Sequence, residues 1–242
     1  MEDRRPPASA LLPALVLGLC LLVGLALGGF LLARGFYAAR AADRFVTVKG
    51  LSEREVPADL ALWPIVFTNT GDDLGALQTK VEQDAAAIRE YLARFGFAEG
   101  DTALSAPRVT DHLAASYGGQ QPAERYQLES TLTLRSGEID RVREAIQRSG
   151  DLVRAGVTLI RSYEVSTQYL FTGLEAIKPE MIAEATRDAR RAADEFARDS
   201  GARLGGIRRA QQGYFSIDDR DAFTPEAKTV RVVTTVEYFL DE

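Results

Sequence analysis

Hydrophobic positions are spread very unevenly along this chain. From Pro6 to Ala33, twenty-eight consecutive residues carry no charge, and eleven of them are leucine. Arg4 and Arg5 precede the run, Arg34, Arg40 and Arg44 follow it, and no comparable run occurs elsewhere. Residues 11–33 number 23, and as a helix they would span about 34 Å. A hydrocarbon core is about 30 Å thick, so the segment can cross it with some tilt. Pro13 would fall in the first turn, where a missing N–H matters little. The pattern predicts a transmembrane signal-anchor over 11–33, a tether over 34–44 and a folded domain over 45–242. The flanking arginines, two before and three after, do not favour a cytoplasmic N-terminus, but large C-terminal domains translocate largely regardless of them, so residues 1–10 are expected in the cytoplasm and 45–242 outside it. The competing reading is a cleaved secretory signal ending near Ala39-Arg40-Ala41. Its apolar region would be shorter, about 7–15 residues, and Arg34 interrupts the approach to that site.

Beyond residue 44 the apolar period alternates between two and three-to-four. Phe45-Val-Thr-Val-Lys-Gly50 and Leu60 to Asn69 read as strands, the second placed at an edge or bulge because Pro64 removes a ladder donor. Leu74, Leu77, Val81, Ala85, Ile88, Leu92 and Phe95 share one helical face, with Thr70 and Asp73 as a capping box and Gly96 as stop. Ser105 to Leu113 is a predicted strand, followed by a loop over Ala115–Ala123. Along Arg125 to Arg135, Tyr126, Leu128, Leu132 and Leu134 oppose Gln127, Glu129, Thr131 and Thr133, which suits an antiparallel sheet with one wet face. A short helix, Glu138 to Ser149, turns Ile139, Val142 and Ile146 inward and stops at Gly150. Val157 to Phe171 is strand-rich. A long helix runs from Pro179 to Ser200, stopped by Gly201, with an inner stripe of Ile182, Ala185, Ala189, Ala192, Ala193 and Phe196. Gly206 to Ile217 and Lys228 to Leu240 are the last strands, joined by the acidic loop Asp218–Pro225. The predicted fold is α+β: a mostly antiparallel sheet packed by two long helices and one short helix, after one transmembrane helix.

Charge narrows the partners. Residues 1–44 hold five Arg against Glu2, Asp3 and Asp43, so with −6 for the whole chain, residues 45–242 carry −8. That balance argues against a nucleic-acid surface. The only cysteine, Cys20, lies in the apolar run, so the folded domain has neither disulfides nor a cysteine-based zinc site.

Candidate chemistry is sparse. His112 is the only histidine, and no G-x-S-x-G elbow supplies a nucleophile. Asp218, Asp219 and Asp221 are dense, but Arg220 interrupts them and calcium-loop spacing is absent; a solvated hairpin loop accounts for them. Gly201-Ala-Arg-Leu-Gly205-Gly206 follows a helix where a phosphate loop would precede one. Arg187, Arg190 and Arg191 read as a solvated helix face. The chain is therefore expected to have no catalytic residues, no metal site and no cofactor. Gly24 and Gly28 form a GxxxG in the membrane run, a candidate for helix packing. Trp63 beside Pro64, and Tyr117 in the Tyr-Gly-Gly loop, are the candidate interface residues, since aromatics anchor interfaces and exposed edges need a partner.

Phe45-Val-Thr-Val-Lys-Gly-Leu-Ser-Glu-Arg-Glu-Val-Pro-Ala-Asp-Leu60 resembles the opening of bacterial SIMPL-domain (DUF541) proteins. Pro179 to Arg190 resembles that family's long Ala-rich helix, Ser200 to Gly205 the turn after it, and Val230 to Tyr238 its closing strand. Trp63-Pro64 and the apolar run depart from the commonest members and resemble an anchored subgroup. The resemblance implies an exported α+β domain in a bacterial envelope, anchored in the inner membrane and facing the periplasm. Some relatives form channel-like rings and others are linked to oxidative or other stress. It supplies no catalytic residues. The expected function is a non-enzymatic oligomeric or interaction module, bound to the bilayer through residues 11–33 and partnered by its own copies or another envelope protein. The alternative is a small-ligand-binding or hydrolytic domain using carboxylates such as Asp111, Asp218 or Asp219.

Overall fold

The computed structural model describes residues 8–41, 44–115, 123–160 and 165–241. Leucine-rich sequence without a helix breaker past Pro13 forms one continuous helix, α1 (Ala8–Ala41). Its Leu15–Phe36 stretch is long and apolar enough to cross a membrane, and none of it is buried against the protein. The tether expected over 34–44 is thus largely a continuation of this helix.

Nine strands and five further helices follow α1 among the described residues: β1 (Phe45–Pro57), β2 (Leu60–Gly71), α2 (Leu74–Arg94), β3 (Thr102–Leu104), β4 (Arg108–Asp111), α3 (His112–Ala115), β5 (Tyr126–Ser136), α4 (Ile139–Gln147), α5 (Gly150–Arg154), β6 (Gln168–Leu170), α6 (Leu174–Asp199), β7 (Arg203–Gln212), β8 (Ser216–Asp219) and β9 (Ala227–Asp241). They form two sheets. One has the order β1-β9-β7 with β8 also on β9; the other has the order β3-β5-β2-β6 with β4 also on β5. β2–β5, β2–β6, β3–β5, β4–β5, β7–β9 and β8–β9 all pair antiparallel. The α+β class and the apolar leading helix are as the sequence predicts.

The chain divides into two compact units, Met1–Leu51 with Ala183–Gly213 and Val233–Glu242, and Ser52–Ile182 with Tyr214–Val232. In the first, Val46, Val236 and Tyr238 pack with Ala189 and Ala193 of α6. Alanine is required there because the helix backbone lies almost on the sheet at Gly50, and the Leu51 amide donates to Asp188 Oδ2 at 3.0 Å. The buried residues of α6 are Met181, Ala185, Ala189, Ala193 and Ala197, in steps of four. Phe196, expected on this stripe, is 51% exposed, because it sits about 100° around the helix from Ala197. The helix also begins at Leu174, so Pro179 lies inside it and not at its first turn. Gly201 ends it as predicted: its φ is +70°, and the Ala202 amide reaches back to the Ala197 carbonyl at 2.9 Å.

In the second unit, α2 covers the β2–β5 pair through Leu77, Val81, Ala85, Ile88 and Leu92, which meet Phe67, Leu132 and Leu134. Asp73 alone caps α2, accepting from the Ala76 amide at 2.8 Å, where the sequence suggests a box with Thr70. The buried Asp84 carboxylate is held by Asn69 Nδ2 at 2.9 Å and Lys80 Nζ at 2.5 Å, so it does not sit unpaired in the core. Gly150 opens α5 instead of only closing the helix before it.

Two expectations about β2 change. It is an interior strand, with β5 along its whole length and β6 on the other side at residues 60–62. Farther along that second side, Ile160 N donates to Val66 O at 2.9 Å and Thr68 N to Thr158 O at 3.0 Å. Among its described residues, Val157–Phe171 yields β6 and a single bridge at Leu159. Even-numbered residues of β2 turn their backbone to this side, Pro64 among them. The edge reading of Pro64 is therefore wrong, and the β2–β5 register runs through Pro64 without a shift.

Candidate functional site

The β8–β9 connection is built on one aspartate. Arg220 N donates to Ala227 O at 2.9 Å and Ala227 N to Thr224 O at 3.0 Å, closing residues 220–227 into a tight loop. Inside it, Asp221 Oδ1 accepts from the amides of Phe223 and Thr224, both at 2.8 Å. Its Oδ2 accepts from Arg220 Nε at 3.0 Å and from the Thr224 hydroxyl. Aspartate suits this turn because its short carboxylate reaches backbone donors two and three residues on. The Thr224 hydroxyl, the Phe223 amide and the Arg220 guanidinium hold the Asp221 carboxyl well below the usual carboxylate range. Arg220 further bonds Thr224 Oγ1 at 2.9 Å and faces Glu55 at 3.6 Å.

What this lattice presents is Phe223, 93% exposed. A phenyl ring left in water on a turn with a fixed backbone has already lost the conformational freedom that binding would otherwise remove. Tyr214, in the link between β7 and β8, is completely exposed. Both aromatics are missing from the sequence-derived candidates. The signal for Phe223 was present: Asp221-Ala-Phe-Thr-Pro225 carries the Asx-turn residue and a proline, with an aromatic between them.

The sequence-derived candidates fall elsewhere. Trp63 is buried in the core with Ile65 and Phe67, so it offers no exposed edge contact. Tyr117 lies outside the described residues. Gly24 and Gly28 stand four residues apart on α1, each with open space where a β-carbon would be. His112 starts α3, its amide donating to Arg125 O at 2.8 Å. Asp111 is bound by Arg125 at 2.9 Å and caps the Leu113 amide at 3.0 Å; the guanidinium contact lowers its pKa first and foremost. Asp219 pairs with Lys228, whose side chain is largely buried. These carboxylates have local partners, and among the described residues no three His, Cys, Asp or Glu side chains group as a metal site.

A cleft of about 570 Å³ opens beside Pro64 of β2. Trp63, Pro64, Ile146 and Leu159 supply apolar wall, and Ser149, Ser166 and Thr167 supply hydroxyls.

The architecture defines an α+β protein with two antiparallel sheets behind one apolar helix of membrane-spanning length. The chain belongs to the SIMPL family, described as a protein of unknown function (DUF541), whose profile matches residues 46–238. No curated protein matches the sequence.

Proposed function

We propose that this chain is a single-pass envelope protein whose folded domain works by binding a protein surface, either another copy or a second envelope protein, and not by catalysis. Phe223 carries this reading. A large aromatic held in solvent by a four-donor carboxylate turn is what a binding anchor needs, since aromatics dominate interface energetics. The family resemblance adds the bacterial inner membrane, a periplasmic domain and a part in envelope or oxidative stress. The decisive measurement is the mass of the full chain in nanodiscs or detergent by light scattering, alone and after exposure to an envelope extract. The reading expects a homo-oligomer or a defined heterocomplex that Phe223→Asp disperses. A strictly monomeric chain that captures nothing, or a complex indifferent to Phe223→Asp, sinks it.

The cleft beside Pro64 favours a second reading, a small-ligand site, because its volume lies in the range of such sites and its wall mixes apolar surface with hydroxyls. The only tryptophan of the chain lines it. A saturable shift in Trp63 fluorescence with a small amphipathic metabolite would support this second reading over the first.

A further inference from the structure

The Nε of Arg89, on α2, is buried and has no hydrogen-bond partner. Glu99 Oε1 stands 4.0 Å from it, an ion pair too long for a hydrogen bond. Buried N–H groups are nearly always paired, because one left bare gives up its water for nothing in return. Both backbones that carry the pair are fixed. Arg89 leaves a helix held in the core by Ile88 and Leu92. Glu99 starts the single turn Glu99–Asp101, where the Asp101 carboxylate accepts from the Ala98 amide at 2.8 Å and the Thr102 hydroxyl donates to the Glu99 carbonyl at 2.8 Å.

The two groups line a cleft of about 360 Å³ between α2 and that turn. Ala86 and Ala93 stand three residues before Arg89 and four after it, on its side of the helix, and their small side chains leave the space open. Leu92 and Phe97 add apolar wall. Three charged side chains line the cleft, and one of them, Glu90, is taken by Arg94 Nη2 at 3.1 Å. One cation and one anion remain, beside an apolar surface. No residue is shared with the cleft beside Pro64.

We propose that this cleft binds a free α-amino acid with an apolar side chain. The ligand carboxylate accepts from the Arg89 guanidinium, and the ligand ammonium donates to the Glu99 carboxylate. In an α-amino acid both charges sit on one carbon, so they bridge two protein groups that are themselves 4.0 Å apart. The apolar side chain lies against Ala93 and Phe97. A purely anionic ligand would be repelled by Glu99 and a purely cationic one by Arg89, so the pair selects a zwitterion. The volume is at the small end of ligand sites, as an amino acid requires.

The test is calorimetric titration of the full chain in nanodiscs with L-leucine, for which saturable binding is expected. Isocaproate lacks the ammonium and isopentylamine lacks the carboxylate, and each should bind about tenfold or more weakly than leucine. Arg89→Gln should weaken leucine by a similar factor. Glu99→Gln should do the same with an unchanged melting temperature, since that side chain is 84% exposed. Leucine that gives no saturable heat at millimolar concentration overturns the proposal. So does leucine binding that ignores Glu99→Gln, or isocaproate that binds as tightly as leucine. Tighter binding of O-phosphoethanolamine, whose charges are farther apart and which has no apolar arm, would overturn the amino-acid assignment in favour of a lipid headgroup. A leucine-dependent shift in Trp63 fluorescence that survives Glu99→Gln would place the ligand in the cleft beside Pro64 and overturn this site.

Discussion

A β-carbon on Gly50 would lie 1.9 Å from the carbonyl oxygen of Ala185, with the amide nitrogen of Ala189 only slightly farther, at 2.3 Å. Backbone meets backbone at this point, and the alanine stripe of α6 is its consequence: larger side chains would lift the helix off the sheet. Gly50→Ala is therefore expected to destabilise the protein by about 3 kcal/mol or more, at the severe end of overpacking. Gly206→Ala, where a β-carbon meets nothing within 4 Å, is the control and should cost well under about 1 kcal/mol. Equal urea midpoints for the two would disprove the close approach.

The two faces of β5 give a second comparison. Leu132 is fully buried under α2, so Leu132→Asp strands a carboxylate in the core at a cost of about 3–5 kcal/mol. Glu129 is only partly buried on the opposite face, and Glu129→Lys should change stability by less than about 1 kcal/mol. Thermal melts that coincide would reverse the face assignment.

Tyr91 links α2 to α4, donating its hydroxyl to Ala145 O at 2.5 Å. Burial, ahead of the nearby Asp151 charge, pushes its pKa up to about 12 from 10.0. A phenol whose folded pKa is raised contributes stability that is complete below its unfolded pKa and is lost as pH rises through the folded one. Alkaline destabilisation is expected between about pH 10 and about pH 12. Tyr91→Phe should lose about 1 kcal/mol at neutral pH and flatten that alkaline limb. An unchanged limb, followed by urea titration across this range, would mean that another group titrates there.

The Asp221 turn makes the opposite prediction. Its carboxyl is depressed in the folded state, so its contribution is complete above the unfolded carboxylate pKa of about 3.9 and fades as pH falls toward the folded value. Amide exchange at Phe223 and Thr224 should accelerate below about pH 4 relative to the intrinsic rate. At neutral pH, Asp221→Ala should open the loop and speed chymotrypsin cleavage after Phe223, with global stability nearly unchanged. Cleavage at the parental rate would show that Asp221 does not hold the turn.

Local period made much of this fold readable. The three-and-four spacing from Leu77 to Leu92 marks α2 and its buried face, and the alternation from Tyr126 to Leu134 marks β5 and its two sides. Alternation also marks Ala61, Trp63, Ile65 and Phe67 as one apolar face, a signal that Pro64 obscured when it was taken to mean an edge. Pro179 misled in the same manner. Proline is favoured in a first helical turn, yet here the chain upstream, from Leu174, is already helical. The Val157–Phe171 segment has strand composition, but its described residues form β6 and one bridge, because pairing depends on partners far away in sequence.

By itself the sequence determined the leading apolar helix, the α+β order, the family and the apolar faces of α2 and β5. These depend on periodicity and composition, which act within a few turns or strand residues. Only the tertiary structure decided that Trp63 is enclosed and Phe223 is not, that Gly50 admits no side chain, and that Phe196 points away from the core. Each of those facts depends on which distant backbone comes within a few ångströms, and no local pattern encodes that distance.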